Sequence, residues 1–199
     1  MAEALTVARS ELILGGQKSG KSRRAELLAQ TWLAQSAAHR AVLIATAQPW
    51  DEEMRQRIER HQQDRAARVP GMDTLEEARD LAGALQRASR PDTLVVVDCL
   101  TLWLTHWLMP ADTQEFEEKR PEAPDWQAQL AMFLRVIEQP PGPVVLVGNE
   151  IGLGVIPLGR EVRAFVDALG QLNQQVAAAW QRVTLMAAGL PLALKDDRT

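Results

Sequence analysis

The stretch "LILGGQKSGKSRRAE", residues 12–26, constrains the fold more than any other part of the chain. An apolar run enters a glycine turn, and Gly20, Lys21 and Ser22 open a charged, helix-prone segment. The match to G-x-x-x-x-G-K-[ST] comes with a strand before it and a helix after it, the context in which this pattern cradles nucleotide phosphates. Glycine lets successive backbone N–H groups turn toward an anion, and the helix N-terminus adds positive potential. The whole loop of Gly15, Gly16, Gln17, Lys18, Ser19, Gly20, Lys21 and Ser22 is therefore expected to bind nucleotide. Lys21 is expected to reach the β- and γ-phosphates, and Ser22 to ligate Mg²⁺. A turn that only caps a helix does not need the full eight-residue pattern between those flanks.

Short apolar runs rich in β-branched residues recur at "ELILGG", "AVLIAT", "TLVVVD", "PVVLVG" and "RVTLMAA". Without strict alternation they read as strands covered on both faces. Between them, helical spacing marks segments at about 21–37, 51–65, 74–89, 125–138 and 160–181, and another helix starts near "CLTLWL". Strands alternating with helices predict an α/β fold with a mainly parallel sheet flanked by helices, and the ligand at the carboxyl ends of the strands. With 199 residues, 46% of them hydrophobic, one P-loop NTPase domain over 1–199 is expected. The stretch 110–125, "PADTQEFEEKRPEAPD", combines three prolines with many charges and predicts an exposed excursion.

A second part of a nucleotide site is an acidic residue at the end of a buried strand, and "LVVVD" puts Asp98 there, suited to hold Mg²⁺ or its waters. The other reading of Asp98 is a helix cap. Cys99 is expected to be a small buried core residue, because nothing around it would lower a thiol pKa. As the only cysteine it excludes an intrachain disulfide framework, and the first residues lack a secretory signal pattern, so a cytoplasmic location is expected. Net charge is −4, from 22 basic and 26 acidic residues, so no large positive field collects nucleic acid. No apolar run approaches the roughly 20 residues that span a bilayer, so no transmembrane segment is expected.

These parts do not define a reaction, since ATPases, kinases and motor domains share them. The stretch "ATAQPWDEEMRQRIERHQQDR", 45–65, says more. Asp51, Glu52 and Glu53 suit the positive end of a helix dipole. Met54, Ile58 and His61 share a face at helical spacing. On that pattern alone His61 reads more readily as a packed core histidine than as a catalytic group. His39 has no motif around it and is expected to be exposed. Trp103, Trp107 and Trp180 are expected in the core or at subunit contacts rather than as a ligand platform.

Six blocks carry a resemblance: "GGQKSGKSRRAE", "ATAQPWDEEMRQRIERHQQDR", "VVVDCLTLWLT", "VGNEIGLGVIP", "RAFVDALGQLNQQVA" and "AAGLPLALK". Through them the chain resembles the bifunctional adenosylcobinamide kinase and adenosylcobinamide-phosphate guanylyltransferase family of cobalamin biosynthesis, over nearly its whole length. The P-loop is generic, whereas "DEEMRxRIxxH" and "NEIGLGVIP" are specific to that family. The resemblance implies a RecA-like P-loop fold. It implies that ATP or GTP phosphorylates adenosylcobinamide, and that GTP guanylylates His61. The GMP then passes to adenosylcobinamide phosphate, giving adenosylcobinamide-GDP.

It also implies nucleotide contacts at the P-loop, at Ala45, Thr46 and Ala47, at Gln62, Gln63, Asp64 and Arg65, and at Glu76 and Asp98, with Glu77 as the alternative to Glu76. A homo-oligomer, a trimer, is implied as well. Two departures stand out: the family often has Arg where Lys18 stands and Asn where His106 stands. Lys18 keeps the charge but loses bidentate phosphate recognition, whereas His106 either changes a corrinoid or metal contact or is local drift. The chemistry is coherent, because neutral imidazole is a good nucleophile and the α-phosphate charge can be offset by Mg²⁺, Lys21 and Arg65, the last also readable as a solvated helix-end arginine. An imidazole titrates near neutrality, so guanylyl uptake is expected to fall at acid pH. "VGNEIGLGVIP", with Asn149, Glu150, Gly152 and Gly154, reads as an active-site loop shaping the nucleotide or corrinoid pocket. An ATPase or regulatory switch, or a simple small-molecule kinase, are the competing readings, and both leave His61 unmodified.

Overall fold

A computed structural model describes residues 5–109 and 126–197, so the proline-rich excursion expected over 110–125 lies outside the described residues. Seven strands form one sheet: β1 (Ser10–Gly15), β2 (Arg40–Ala45), β3 (Met72–Glu76), β4 (Thr93–Asp98), β5 (Val144–Val147), β6 (Arg182–Ala187) and β7 (Leu190–Asp196). Their order across the sheet is β3-β2-β4-β5-β1-β6-β7. All neighbours are parallel except β6 and β7. The expected mainly parallel α/β sheet is what forms.

The helices are α1 (Lys21–Gln35), α2 (Glu52–Arg68), α3 (Leu81–Ala88), α4 (Leu100–Leu108), α5 (Trp126–Glu138) and α6 (Arg160–Ala179). Inner strands are largely apolar because both faces are covered. On one face Leu12, Leu14, Val95, Val97 and Leu146 pack with α3, α4, α5 and α6 through Leu85, Trp103, Phe133 and Leu172. On the other, Ile13, Leu43, Val96 and Val145 pack with Ala25, Leu28 and Ala29 of α1. Trp103 and Trp180 are fully buried in the first cluster, as expected, and Trp107 packs against it. α2 has no buried residue. Its C-terminal half bonds Glu26 of α1 and Thr74 and Glu76 of β3.

Two expectations need correction. The segment 74–89 is not one helix: its start belongs to strand β3, and α3 begins only at Leu81. β7 was not expected at all. Both are the outermost strands of the sheet, so they lack the doubly covered apolar run that marks the others; β7 is largely exposed. His39, expected in solvent, is half-buried, its ring stacked 3.7 Å from Trp32 and its Nδ1 donating to the Trp32 carbonyl at 2.8 Å.

Candidate nucleotide site

The carboxyl ends of β3, β2 and β4 stop in one row, with Glu76 paired to Ala45 and Ala45 to Asp98. β5 lies between the acidic strand β4 and the P-loop strand β1. The loop after β1 crosses this edge and enters α1 at Gly20, whose φ is 103°. Gly15 is sterically required: a Cβ there would stand 2.5 Å from the Met186 carbonyl oxygen and 2.6 Å from Ser19 Oγ. Lys18 sits in the left-handed region at φ 56° and is exposed, as are Gly16 and Gln17. Ser19 is buried, and its hydroxyl has no protein partner.

Lys21 is buried, its Nζ donating to the Gly16 carbonyl at 2.6 Å. Burial lowers its pKa, and the Asp98 carboxylate works against that shift. Ser22 Oγ donates to Asp98 Oδ2 at 2.8 Å, joining the two signature segments across 76 residues. Among the described residues no group of three or more His, Cys, Asp or Glu could hold a metal by itself. A nucleotide-bound Mg²⁺ needs no such cage, because it takes one or two protein oxygens together with phosphates and waters. The hydroxyl and carboxylate at Ser22 and Asp98 fit that requirement.

Asp51 caps α2, accepting the Met54 N–H at 2.7 Å. The half-buried stripe of this helix is Met54, Ile58, Gln62 and Arg65, so His61 itself is exposed rather than packed. Arg57, His61 and Arg65 follow at intervals of four, so Arg65 joins this row to the half-buried stripe. The charge of Arg57 is felt at Lys21, and that of Asp98 at Arg65. Burial lowers the Arg65 pKa, against Asp98 and Glu26, which raise it. His61 thus lies one turn from each of two arginines, one whose charge lowers the Lys21 pKa and one whose own pKa the Asp98 charge raises. Arg57 was missed in the sequence reading, although its spacing of four from His61 would have found it.

Other expected contacts spread over a wider area. Gln62 Nε2 donates to Glu76 Oε1 at 3.1 Å, and Arg65 Nη2 to Thr74 Oγ1 at 3.4 Å. Asp64 pairs with Arg68 at 3.0 Å, and no hydrogen bond joins it or Gln63 to the P-loop among the described residues. Arg68 also bonds Glu26 at 3.1 Å, and that bond raises its pKa. Glu77 is occupied: its Oε1 accepts the N–H groups of Arg79 and Asp80, both at 2.9 Å. Glu76 is exposed on the sheet edge, so of the two it is the glutamate open to a ligand.

Ala45 and Ala47 are half-buried beside the edge, whereas Thr46 has no exposed surface. Its hydroxyl donates to the Cys99 carbonyl at 2.8 Å and accepts the Cys99 N–H at 2.9 Å. Thr46 therefore braces the turn after Asp98, where the Asp98–Cys99 peptide is cis. His106 is buried, with Nε2 donating to the Thr46 carbonyl at 2.8 Å. In the "VGNEIGLGVIP" loop the Asn149 N–H donates to Thr101 Oγ1 at 2.9 Å, and the Glu150 N–H to the Gly15 carbonyl at 3.2 Å. The β6–β7 turn supports the P-loop from the other side, the Gly189 N–H donating to the Ser19 carbonyl at 3.0 Å.

A glycine-rich phosphate loop on a parallel sheet, with its serine bonded to an acidic strand end, defines a P-loop nucleotide-binding α/β protein. A family model described as cobinamide kinase / cobinamide phosphate guanyltransferase matches residues 11–194. The chain belongs to that family, and both activities are those of a transferase. It is 44% identical over 188 residues to the bifunctional adenosylcobalamin biosynthesis protein CobP of Pseudomonas aeruginosa, covering 94% of this chain and 98% of the relative. It is 33% identical over 191 residues to the protein CobU of Escherichia coli and to that of Salmonella typhimurium, covering 92% of this chain and 98% of each relative.

Proposed function

We propose that this chain performs the two steps of its family at one P-loop, with His61 as the covalent carrier of GMP in adenosylcobalamin biosynthesis. The observation that supports the reading is His61 in one row with Arg57, whose charge acts at Lys21, and Arg65, on which Asp98 acts, beside the Ser22–Asp98 bond. In the kinase step, ATP or GTP places its phosphates in the nest formed by residues 15–22. Lys21 leaves the Gly16 carbonyl for phosphate oxygens, exchanging one hydrogen-bonded partner for a charged one. A substrate hydroxyl attacks the γ-phosphorus, the bond to the β-phosphate oxygen breaks, and the nucleoside diphosphate leaves.

In the transfer step a ring nitrogen of His61 attacks the α-phosphorus of GTP. The P–N bond forms, pyrophosphate departs and the imidazole loses its proton. A phosphate oxygen of adenosylcobinamide phosphate then attacks the same phosphorus, the P–N bond breaks and adenosylcobinamide-GDP forms. Arg57 and Arg65 offset the charge that builds on the phosphoryl oxygens. Mg²⁺, held by Ser22 and Asp98, would supply further charge neutralisation on the phosphates.

Glu76, held by Gln62 on the sheet edge, is placed to meet the nucleotide's sugar or base. The exposed apolar side chains of Leu153, Val155 and Leu158, 81%, 97% and 97% exposed, support a homo-oligomer in which this loop is covered. A monomer by sedimentation at working concentration would overturn that part.

GTP labelled in its α-phosphate tests the main reading. The protein is expected to acquire an acid-labile, alkali-stable GMP adduct, and His61→Ala to lose it completely while still phosphorylating the corrinoid. An unlabelled protein that binds GTP and Mg²⁺, or a labelled His61→Ala, would sink it.

A further inference from the structure

We propose that His106 is a positioning residue that sets where α2, and with it His61, stands over the P-loop. The consequence for GMP transfer rests on the reading above, whereas the anchoring of α2 does not. The segment 46–50 connects β2 to α2, and His106 touches both of its ends. Nε2 donates to the carbonyl of Thr46, the first residue after β2, at 2.8 Å. The same ring lies against Trp50, centroids 4.9 Å apart and planes at 36°, and Trp50 directly precedes the α2 cap Asp51.

Two facts make this contact matter. First, α2 is half-buried only along Met54, Ile58, Gln62 and Arg65 and buries no residue fully, so packing holds it less firmly than the other helices. Its hydrogen bonds to the rest of the described structure come from Gln62, Arg65 and Arg68, all in its C-terminal half. The N-terminal half is held through the 46–50 connection, and His61 sits just ahead of the C-terminal anchors. Secondly, His106 is rigid. It is 3% exposed on α4, which packs into the main core through Leu100, Trp103 and Leu104. A carbonyl can only accept, so Nε2 carries the hydrogen and the tautomer is set; the buried Nδ1 is left without a partner. Thr46 is itself locked to Cys99, one residue from Asp98. His106 therefore ties the α2 entry to the strand end that carries the acidic residue.

The two contacts separate by substitution. His106→Phe keeps a ring against Trp50 and loses the N–H; His106→Gln places an amide N–H near the Nε2 position and loses the ring. GMP labelling from α-labelled GTP is expected to slow by about tenfold or more in His106→Phe, since a misplacement near 1 Å costs that much or more. In the same variant, kinase kcat should fall distinctly less than the labelling rate, because Lys21 and the P-loop backbone do not touch His106. His106→Gln should restore most of the labelling rate.

Amide hydrogen exchange of residues 46–57 should quicken in His106→Phe and recover in His106→Gln, with residues 21–35 unchanged. His106→Leu, which also lacks the N–H, should slow labelling in the same way if His106→Phe does not fold. Unchanged labelling, or equal loss of both activities together with a lowered Tm, overturns the proposal. If the wild-type chain takes up no GMP, the transferase reading fails instead, and the exchange of 46–57 alone decides whether His106 anchors α2.

Discussion

At the scale of single residues, burial separates groups that adjacent sequence positions would treat alike. Asp98 and Cys99 are neighbours at the end of one strand. Asp98 reaches the edge and meets Ser22, whereas Cys99 is buried and its thiol pKa is pushed up to about 11, first by desolvation and then by the Asp98 charge. The thiol is expected to resist alkylation by iodoacetamide at pH 8 in the folded chain and to react fully after denaturation. The sign of the linked stability follows. Between the ordinary value of 9.0 and about 11 the unfolded chain has released a proton that the folded chain keeps, so stability falls as pH rises through that window. From pH 8 to pH 10 the urea midpoint of the wild type should fall more than that of Cys99→Ala; a parallel fall in both would exclude the thiol as the cause.

At the scale of elements, the turn joining β6 to β7 shapes the phosphate loop from a distance in sequence. Ala187 pairs with Leu190, leaving a two-residue turn in which Ala188 has φ 51° and Gly189 has φ 79°. Two positive φ values define the hairpin turn that asparagine followed by glycine fits best. Alanine pays a steric cost there that asparagine largely avoids, so Ala188→Asn should raise stability by about 1 kcal/mol. Denaturant unfolding measures it, and a lower midpoint would refute the turn assignment. Since the Gly189 N–H holds the Ser19 carbonyl, the nucleotide affinity of this variant should be preserved.

At the scale of the whole molecule, one buried charge cluster joins segments from both ends of the described chain. Glu11 is 0% exposed; its Oε1 accepts from Arg24 at 2.7 Å and from Thr184 at 2.9 Å, and its Oε2 lies 3.4 Å from Arg182 Nη1. Arg182 also bonds the Thr6 carbonyl at 2.7 Å and Asp196 at 3.3 Å. Removing one partner leaves buried charge uncompensated, which costs about 3–5 kcal/mol. Glu11→Ala is expected to lose that much stability in guanidinium titrations, and Glu11→Gln distinctly less. A loss below about 1 kcal/mol, the range of exposed ion pairs, would show that the cluster is dispensable. Nothing in "SELILG" singles out Glu11, because its partners lie on α1 and β6.

Much of this protein is legible along the chain. The P-loop, the inner strands and the acidic strand end are local patterns, each set by a few adjacent residues and the solvent they avoid. The two outer strands escaped that reading because a strand open to water on one side carries no continuous apolar run. On its spacing from Met54 and Ile58 alone His61 looked packed, yet it is exposed, because that side of α2 is only half-buried. The register that aligns Glu76, Ala45 and Asp98, the Ser22–Asp98 bond and the grip of His106 on the α2 entry exist only after folding. They join residues tens of positions apart, and no local preference of the chain specifies such a distance.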